Sequence, residues 1–206
     1  MEKGYLAIIL HAHLPFVRHP EYADSLEENW LYEAITETYI PLLLALEDLL
    51  NSGIDFRLTF SLTPTLTSMF QDPFLQSRYL RRVERLIELT GREIKRTESQ
   101  PEFHDLARFY HQRLRQVRAA FVRHYKKNLI EAFRWLQESG KVEIIASAAT
   151  HAYFPMLAVN PSAVRAQIRL GIEHSEAVFG RKPKGFWLPE CGYHTGVDQL
   201  LKEHGI

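Results

Sequence analysis

The sequence has a single cysteine, no surplus charge and no long apolar run, and each shortage removes a class of protein. Cys191 alone makes no intrachain disulfide and cannot build a four-cysteine zinc site. Lys+Arg and Asp+Glu both number 25, so net charge draws the chain neither to nucleic acid nor to an anionic membrane. The apolar residues from Tyr5 to Leu10 are too few for a signal-peptide core or a membrane span. The cytoplasm is therefore the expected compartment. No glycine-rich phosphate loop and no Gly-x-Ser-x-Gly elbow occurs. Internal repeats, low-complexity tracts and linkers are missing as well, so the 206 residues read as one large domain.

What is present alternates between strand and helix patterns. Tyr5 to Leu10 reads as a strand buried on both faces, with His11 and His13 following on one side of it and Pro15 ending the pairing. Helical spacing runs from about Glu28 to Asn51, closed by Gly53. Pro41 inside it predicts a kink or two abutting helices. A second strand covers Phe56 to Leu62. A mostly helical excursion then runs from Phe74 to Gly140, with one stripe through Leu80, Val83, Leu86 and Ile87. A longer stripe runs from Leu106 and Phe109 through Leu114, Val117 and Phe121 to Leu136, and the break between the two lies near Gly91 to Pro101. A third strand, Val142 to Ser147, leads into Thr150-His-Ala-Tyr-Phe-Pro155. Asn160-Pro161 opens a helix that closes at Gly180. The fourth strand is Gly185 to Leu188, and Thr195 caps a last helix. This α/β order predicts parallel strands with crossover helices, four strands resembling the first half of a β/α barrel.

The chemistry gathers at the strand ends. In Gly185-Phe-Trp-Leu-Pro-Glu-Cys-Gly-Tyr193 an apolar strand ends in a carboxylate, and a charge there is costly unless it is paired or used. Glu190 is a candidate nucleophile or proton donor; the plain alternative is a surface carboxylate in a loop. Trp187 and Tyr193 beside it favour a carbohydrate site, since sugar rings pack their C–H faces on aromatics. His11 and His13 have three readings: zinc ligands, partners of substrate hydroxyls, or hydrogen-bonded core groups. A metal would need His151 or Glu190 as a third ligand, and no His-x-x-x-His spacing occurs, so substrate hydrogen bonding is preferred. His151 lies just past a strand, as His13 does, with Tyr153 and Phe154 as added stacking surface. Cys191 has no assigned base and reads as buried packing. The basic stretch Arg108 to Lys127 keeps helical apolar spacing and reads as a solvated face.

Four segments, His11-Ala-His-Leu-Pro-Phe16, Glu33-Ala-Ile-Thr-Glu-Thr-Tyr-Ile-Pro-Leu-Leu43, Ala149-Thr-His-Ala-Tyr-Phe-Pro155 and Trp187-Leu-Pro-Glu-Cys-Gly-Tyr193, resemble the glycoside hydrolase family 57 catalytic domain, and within it the 1,4-α-glucan branching enzymes. The resemblance implies the N-terminal part of an incomplete seven-stranded β/α barrel with an inserted helical segment at about 74–140. It also implies a metal-free, cofactor-free retaining mechanism on α-1,4-glucans such as amylose or glycogen. By the same resemblance Glu190 stands at the nucleophile position, and His11, His13 and His151 stand in the donor-sugar subsite. The family's acid/base aspartate belongs to a later motif, so the chain is expected to be an N-terminal fragment lacking it. A 4-α-glucanotransferase or α-amylase, a metal-dependent sugar deacetylase-like site, and an inert glucan-binding remnant are the alternatives.

Overall fold

Strands joined through helices pair in parallel, because each crossover returns the chain to the same end of the sheet. In the computed structural model, which describes residues 4–206, β1 (Ile9–Ala12), β2 (Leu58–Leu62), β3 (Val142–Ser147) and β4 (Phe186–Trp187) form one parallel sheet in sequence order. Met1–Lys3, the head of the segment weighed as a signal peptide, lie outside the described residues. Among those described, no helix is long and apolar enough to cross a membrane. The register sets His11 beside Ser61 and Ser147 beside Trp187. Tertiary contacts divide the chain into two compact units.

The first unit, Met1–Val17, Gly53–Met69 and Phe133–Ile206, carries the sheet. Its core includes Ala146, Ala148, Phe154, Val164, Ile168 and Ile172, with Phe186 and Leu188 packed against them. The helix expected after Asn160 is present as Pro161–Phe179: the Asn160 side chain accepts from the Ala163 N–H, and Gly180 ends it at φ 72°. A Cβ on Gly171 would lie 2.0 Å from the Ser147 carbonyl oxygen, so this helix lays bare backbone against the end of β3. Two strand expectations need correction. Tyr5 to Leu10 is not buried on both faces: Tyr5 and Leu6 are exposed, and β1 begins only at Ile9, because it is an edge strand whose one neighbour starts pairing at Leu58. The fourth strand is cut to two residues, since Pro189 brings no N–H to extend the ladder.

The second unit, Arg18–Ser52 and Phe70–Ala132, is helical. Its first two helices, α1 (Leu26–Ala34) and α2 (Ile40–Asn51), abut through a π-helical turn at Ile35–Tyr39, in which the Ile40 N–H reaches the Ile35 carbonyl. The wide turn sits just ahead of Pro41, whose ring and missing N–H an unbroken α-helix would not accept. The helix Pro73–Arg96 starts at Asp72, whose carboxylate accepts from the N–H groups of Phe74 and Leu75. Gly91, expected at the break, lies within this helix. Its cost in a helix, about 1 kcal/mol, is small beside the packing of a long amphipathic face, and the break falls in the later part of the expected span, at Thr97–Gln100 before Pro101. Leu106 and Phe109 are exposed rather than part of the buried stripe, whereas Leu114, Val117 and Phe121 are buried. Glu28 is buried here as an ion pair with Arg78 at 2.6 Å and also accepts from the His19 N–H and the Tyr32 hydroxyl. Burial alone would raise its pKa, but those donors outweigh burial and leave it below the usual carboxylate value.

Candidate active site

Parallel strands end on one side of a sheet, and the polar side chains of four strand ends meet there. His11 belongs to β1 and His13 follows it; Ser61 and Thr63 stand at the end of β2; Ser147 closes β3, with His151 in the turn beyond; Trp187 closes β4. Each imidazole is tethered through Nδ1 to a hydroxyl: His11 to Ser61 at 3.1 Å, His13 to Thr63 at 3.1 Å, His151 to Ser147 at 3.3 Å. The Ser147 hydroxyl donates to the Trp187 carbonyl at 3.0 Å. The rings form a near-parallel stack: Trp187 to His11 at 4.7 Å and 14°, His11 to His151 at 5.0 Å, His151 to His13 at 3.7 Å and 19°. Ring nitrogens coordinate in the ring plane, so stacked imidazoles direct their lone pairs side by side rather than at one point. Among the described residues no three His, Cys, Asp or Glu are disposed to hold a metal ion.

Glu190 joins this cluster from a tight turn, Pro189–Cys191. Its Oε1 lies 3.7 Å from His151 Nε2, too far for a hydrogen bond; the His151 side chain is 4% exposed and that of Glu190 71%. The sequence argument that Glu190 is a strand-exit charge short of solvent is therefore corrected: the turn carries the carboxylate into water. Three residues here hold left-handed backbone without being glycine: His151 at φ 58°, Glu190 at 53° and Cys191 at 55°. Each costs on the order of 1 kcal/mol and persists only where its surroundings impose it.

The imidazoles are neutral at physiological pH. Burial depresses His11, as does the charge of His13, while Glu190 opposes the shift; burial likewise depresses His13 against Glu190. His151 is pushed down to about 3 by burial and by the two neighbouring histidines. His151 and Glu190 are thus a neutral ring beside a carboxylate rather than an ion pair. Two polar atoms of the cluster, His151 Nε2 and Trp187 Nε1, are buried without a hydrogen bond to the protein. One is a ring nitrogen and the other an N–H donor, the complement that a sugar hydroxyl, both donor and acceptor, can satisfy.

Of the residues singled out in the sequence, His11, His13, His151, Trp187 and Glu190 come together. Tyr193 is exposed, its hydroxyl donating to Asp198 Oδ1 at 3.3 Å. Phe154 offers no stacking surface, because it is buried in the core against Phe186. Tyr153 lies over Gly192, where a Cβ would come within 2.5 Å of its ring. Cys191, expected as packing, is exposed because the left-handed turn rotates it outward. Sequence reasoning missed Ser61, Thr63 and Ser147. The Ser61/Thr63 spacing of two repeats that of His11/His13, and that match was the available signal.

Comparison with known proteins gives this geometry a context. A sequence profile of glycosyl hydrolase family 57 matches residues 7–206. A 1,4-alpha-glucan branching enzyme of Thermococcus kodakarensis, TK1436, is 34% identical over 99% of this chain and 32% of its own length. Its crystal structure, in complex with glucose and additives, superposes with a TM-score of 0.90 over 100% of this chain and 39% of that one. The alpha-amylase AmyC of Thermotoga maritima is 45% identical with a TM-score of 0.92, covering 97% of this chain and 38% of AmyC. The branching enzyme of Pyrococcus horikoshii is 34% identical with a TM-score of 0.91, covering 100% and 41%. The chain spans about a third of the length of the curated relative, and its four-stranded sheet matches the N-terminal part of the relatives' β/α barrel.

Proposed function

The chain belongs to glycosyl hydrolase family 57, and from that premise we propose that it is the N-terminal part of a retaining 1,4-α-glucan branching enzyme, with the helical segment at about 74–140 inserted in its catalytic barrel. Glu190 is the nucleophile. Its carboxylate attacks the anomeric carbon of an α-1,4-linked glucosyl unit, the glycosidic C–O bond breaks, and a covalent glycosyl-enzyme forms. The leaving oxygen needs a proton from a second carboxyl group about 5 Å away; we assign it to an aspartate in the further length that the relatives possess. A 6-hydroxyl of an acceptor glucan then gives its proton back to that second carboxylate, attacks the anomeric carbon, displaces Glu190 and creates the α-1,6 branch. His11, His13 and His151 bind hydroxyls of the donor sugar, and Trp187 and Tyr193 provide aromatic surface. No cofactor, nucleic acid or membrane enters this scheme, and the cytoplasm, where glycogen-type polymers are stored, is its compartment.

The observation that carries the reading is Glu190 held on strained backbone, open to solvent, beside a neutral stack with two unsatisfied polar atoms. Glu190→Gln in the full-length protein is expected to bind amylose normally while losing turnover by at least about a thousandfold; near-normal turnover refutes the nucleophile role. A second reading, α-1,4 hydrolysis, is favoured by the 45% identity to an alpha-amylase, higher than the 34% to the branching enzymes. Products decide between them: new α-1,6 linkages after incubation with amylose mark branching, and reducing ends without them mark hydrolysis.

A further inference from the structure

Ser147 is fully buried, and its hydroxyl has two partners, the Trp187 carbonyl and His151 Nδ1. A serine hydroxyl carries one proton. Here that proton goes to the Trp187 carbonyl, which can only accept, so the Ser147 oxygen is left to accept from His151. A neutral imidazole has one N–H. With that N–H on Nδ1, Nε2 is a bare lone pair, and Nε2 is the buried atom that lies 3.7 Å from Glu190 without a hydrogen bond. The arrangement is fixed from both sides. Ser147 and Trp187 are register partners in the β3–β4 ladder, and the backbone at Gly171 presses on the Ser147 carbonyl so closely that even a methyl group would clash.

We propose that Ser147 is a positioning residue that holds His151 in the Nδ1–H tautomer, so that Nε2 accepts a hydrogen bond from a hydroxyl of the sugar bound at Glu190. The site then offers two acceptors side by side, a carboxylate and an imidazole lone pair, and selects a ligand that brings a donor. A sugar with a hydroxyl at that position satisfies Nε2; a deoxy analogue leaves it buried and unpaired. The role given to the sugar rests on the proposed function, whereas the tautomer rests only on the hydrogen-bond geometry.

The test reads both. In uniformly ¹⁵N-labelled full-length protein at pH 7.5, the ring-nitrogen shifts of His151 are expected to show a protonated Nδ1 and an unprotonated Nε2. Protonated Nε2 in the wild type overturns the inference without recourse to any variant. In Ser147→Ala the two ring shifts are expected to move toward the average of both tautomers, with kcat/KM on amylose falling about tenfold to a hundredfold. Ser147→Thr, which keeps the hydroxyl, should restore both. Loss of activity in Ser147→Ala with the tautomer unchanged also overturns the inference. If the wild-type tautomer is as expected while neither Ser147→Ala nor Glu190→Gln affects glucan turnover, the fixed tautomer is upheld and the functional reading falls.

Discussion

The depressed histidines make the stability of this protein fall on the acid side, and His151 sets a scale for it. Its ordinary value of 6.5 is lowered in the folded chain to about 3. Between those two values the unfolded imidazole binds a proton that the folded one refuses, so the unfolded state carries more protons and stability rises with pH. At pH 5 the difference for His151 alone is about 2 kcal/mol, nearly absent at pH 7.5. Domains of this kind are held by about 5–15 kcal/mol, so the loss is measurable. His11, His13 and His174 are lowered too and add in the same direction. The informative variant is His151→Asn, because asparagine tolerates the φ of 58° at this position and does not titrate. Urea unfolding at pH 7.5, 6 and 5 can be followed by tryptophan fluorescence, to which Trp187 in the ring stack contributes beside Trp30 and Trp135. The variant is expected to be less stable than wild type at pH 7.5, but to lose about 2 kcal/mol less between pH 7.5 and 5. Carboxylates common to both proteins cancel in that difference. Parallel stability curves would refute the claim that His151 is held neutral by its burial in the stack.

Two further substitutions test the packing that holds the site and the helical unit. Gly171→Ala would gain about 1 kcal/mol from helix propensity but sets a methyl 2.0 Å from the Ser147 carbonyl; a net loss of about 1–3 kcal/mol in urea unfolding is expected, and net stabilisation would show that the helix approaches β3 less closely. Glu28→Ala leaves Arg78, at 11% side-chain exposure, without its carboxylate and with only the His19 and Tyr22 carbonyls to accept from it, and removes acceptors from the His19 N–H and the Tyr32 hydroxyl. A loss of about 3–5 kcal/mol is expected, and a change within about 0.5 kcal/mol would mean that this pair is as weak as a surface one.

Legibility in the sequence followed the physics of each signal. The span Val142–Ser147 is legible because a largely apolar, β-branched run bounded by polar residues has few alternatives, and the helix Pro161–Phe179 because Asn160-Pro161 and Gly180 fix its two ends. The gathering of Glu190 with the histidines followed from topology, since parallel strands finish on one side of the sheet. The hydroxyls that orient the imidazoles were not legible. A serine in a strand carries no mark of its partner until register sets Ser61 beside His11 and Ser147 beside Trp187. The exposure of Tyr5 and Leu106 is not legible for the same reason: whether either is covered depends on neighbours that local pattern does not specify.

The turns hold the most instructive departure from local rules. At φ near 55° glycine or asparagine would be the least strained choice, and at Gly53, Gly140 and Gly180 the chain does use glycine. At the exits of β3 and β4 it instead carries His151, Glu190 and Cys191 in that same region. Turn geometry alone gives no reason to prefer a histidine or a glutamate there, so the reason lies in the side chains, and two of the three face each other across 3.7 Å. Lys126 and Lys127 hold left-handed backbone as well, so that conformation alone does not mark a site; at the exits of β3 and β4 it coincides with an imidazole and a carboxylate brought together. There the strained turns hold the two groups 3.7 Å apart at the end of a rigid sheet.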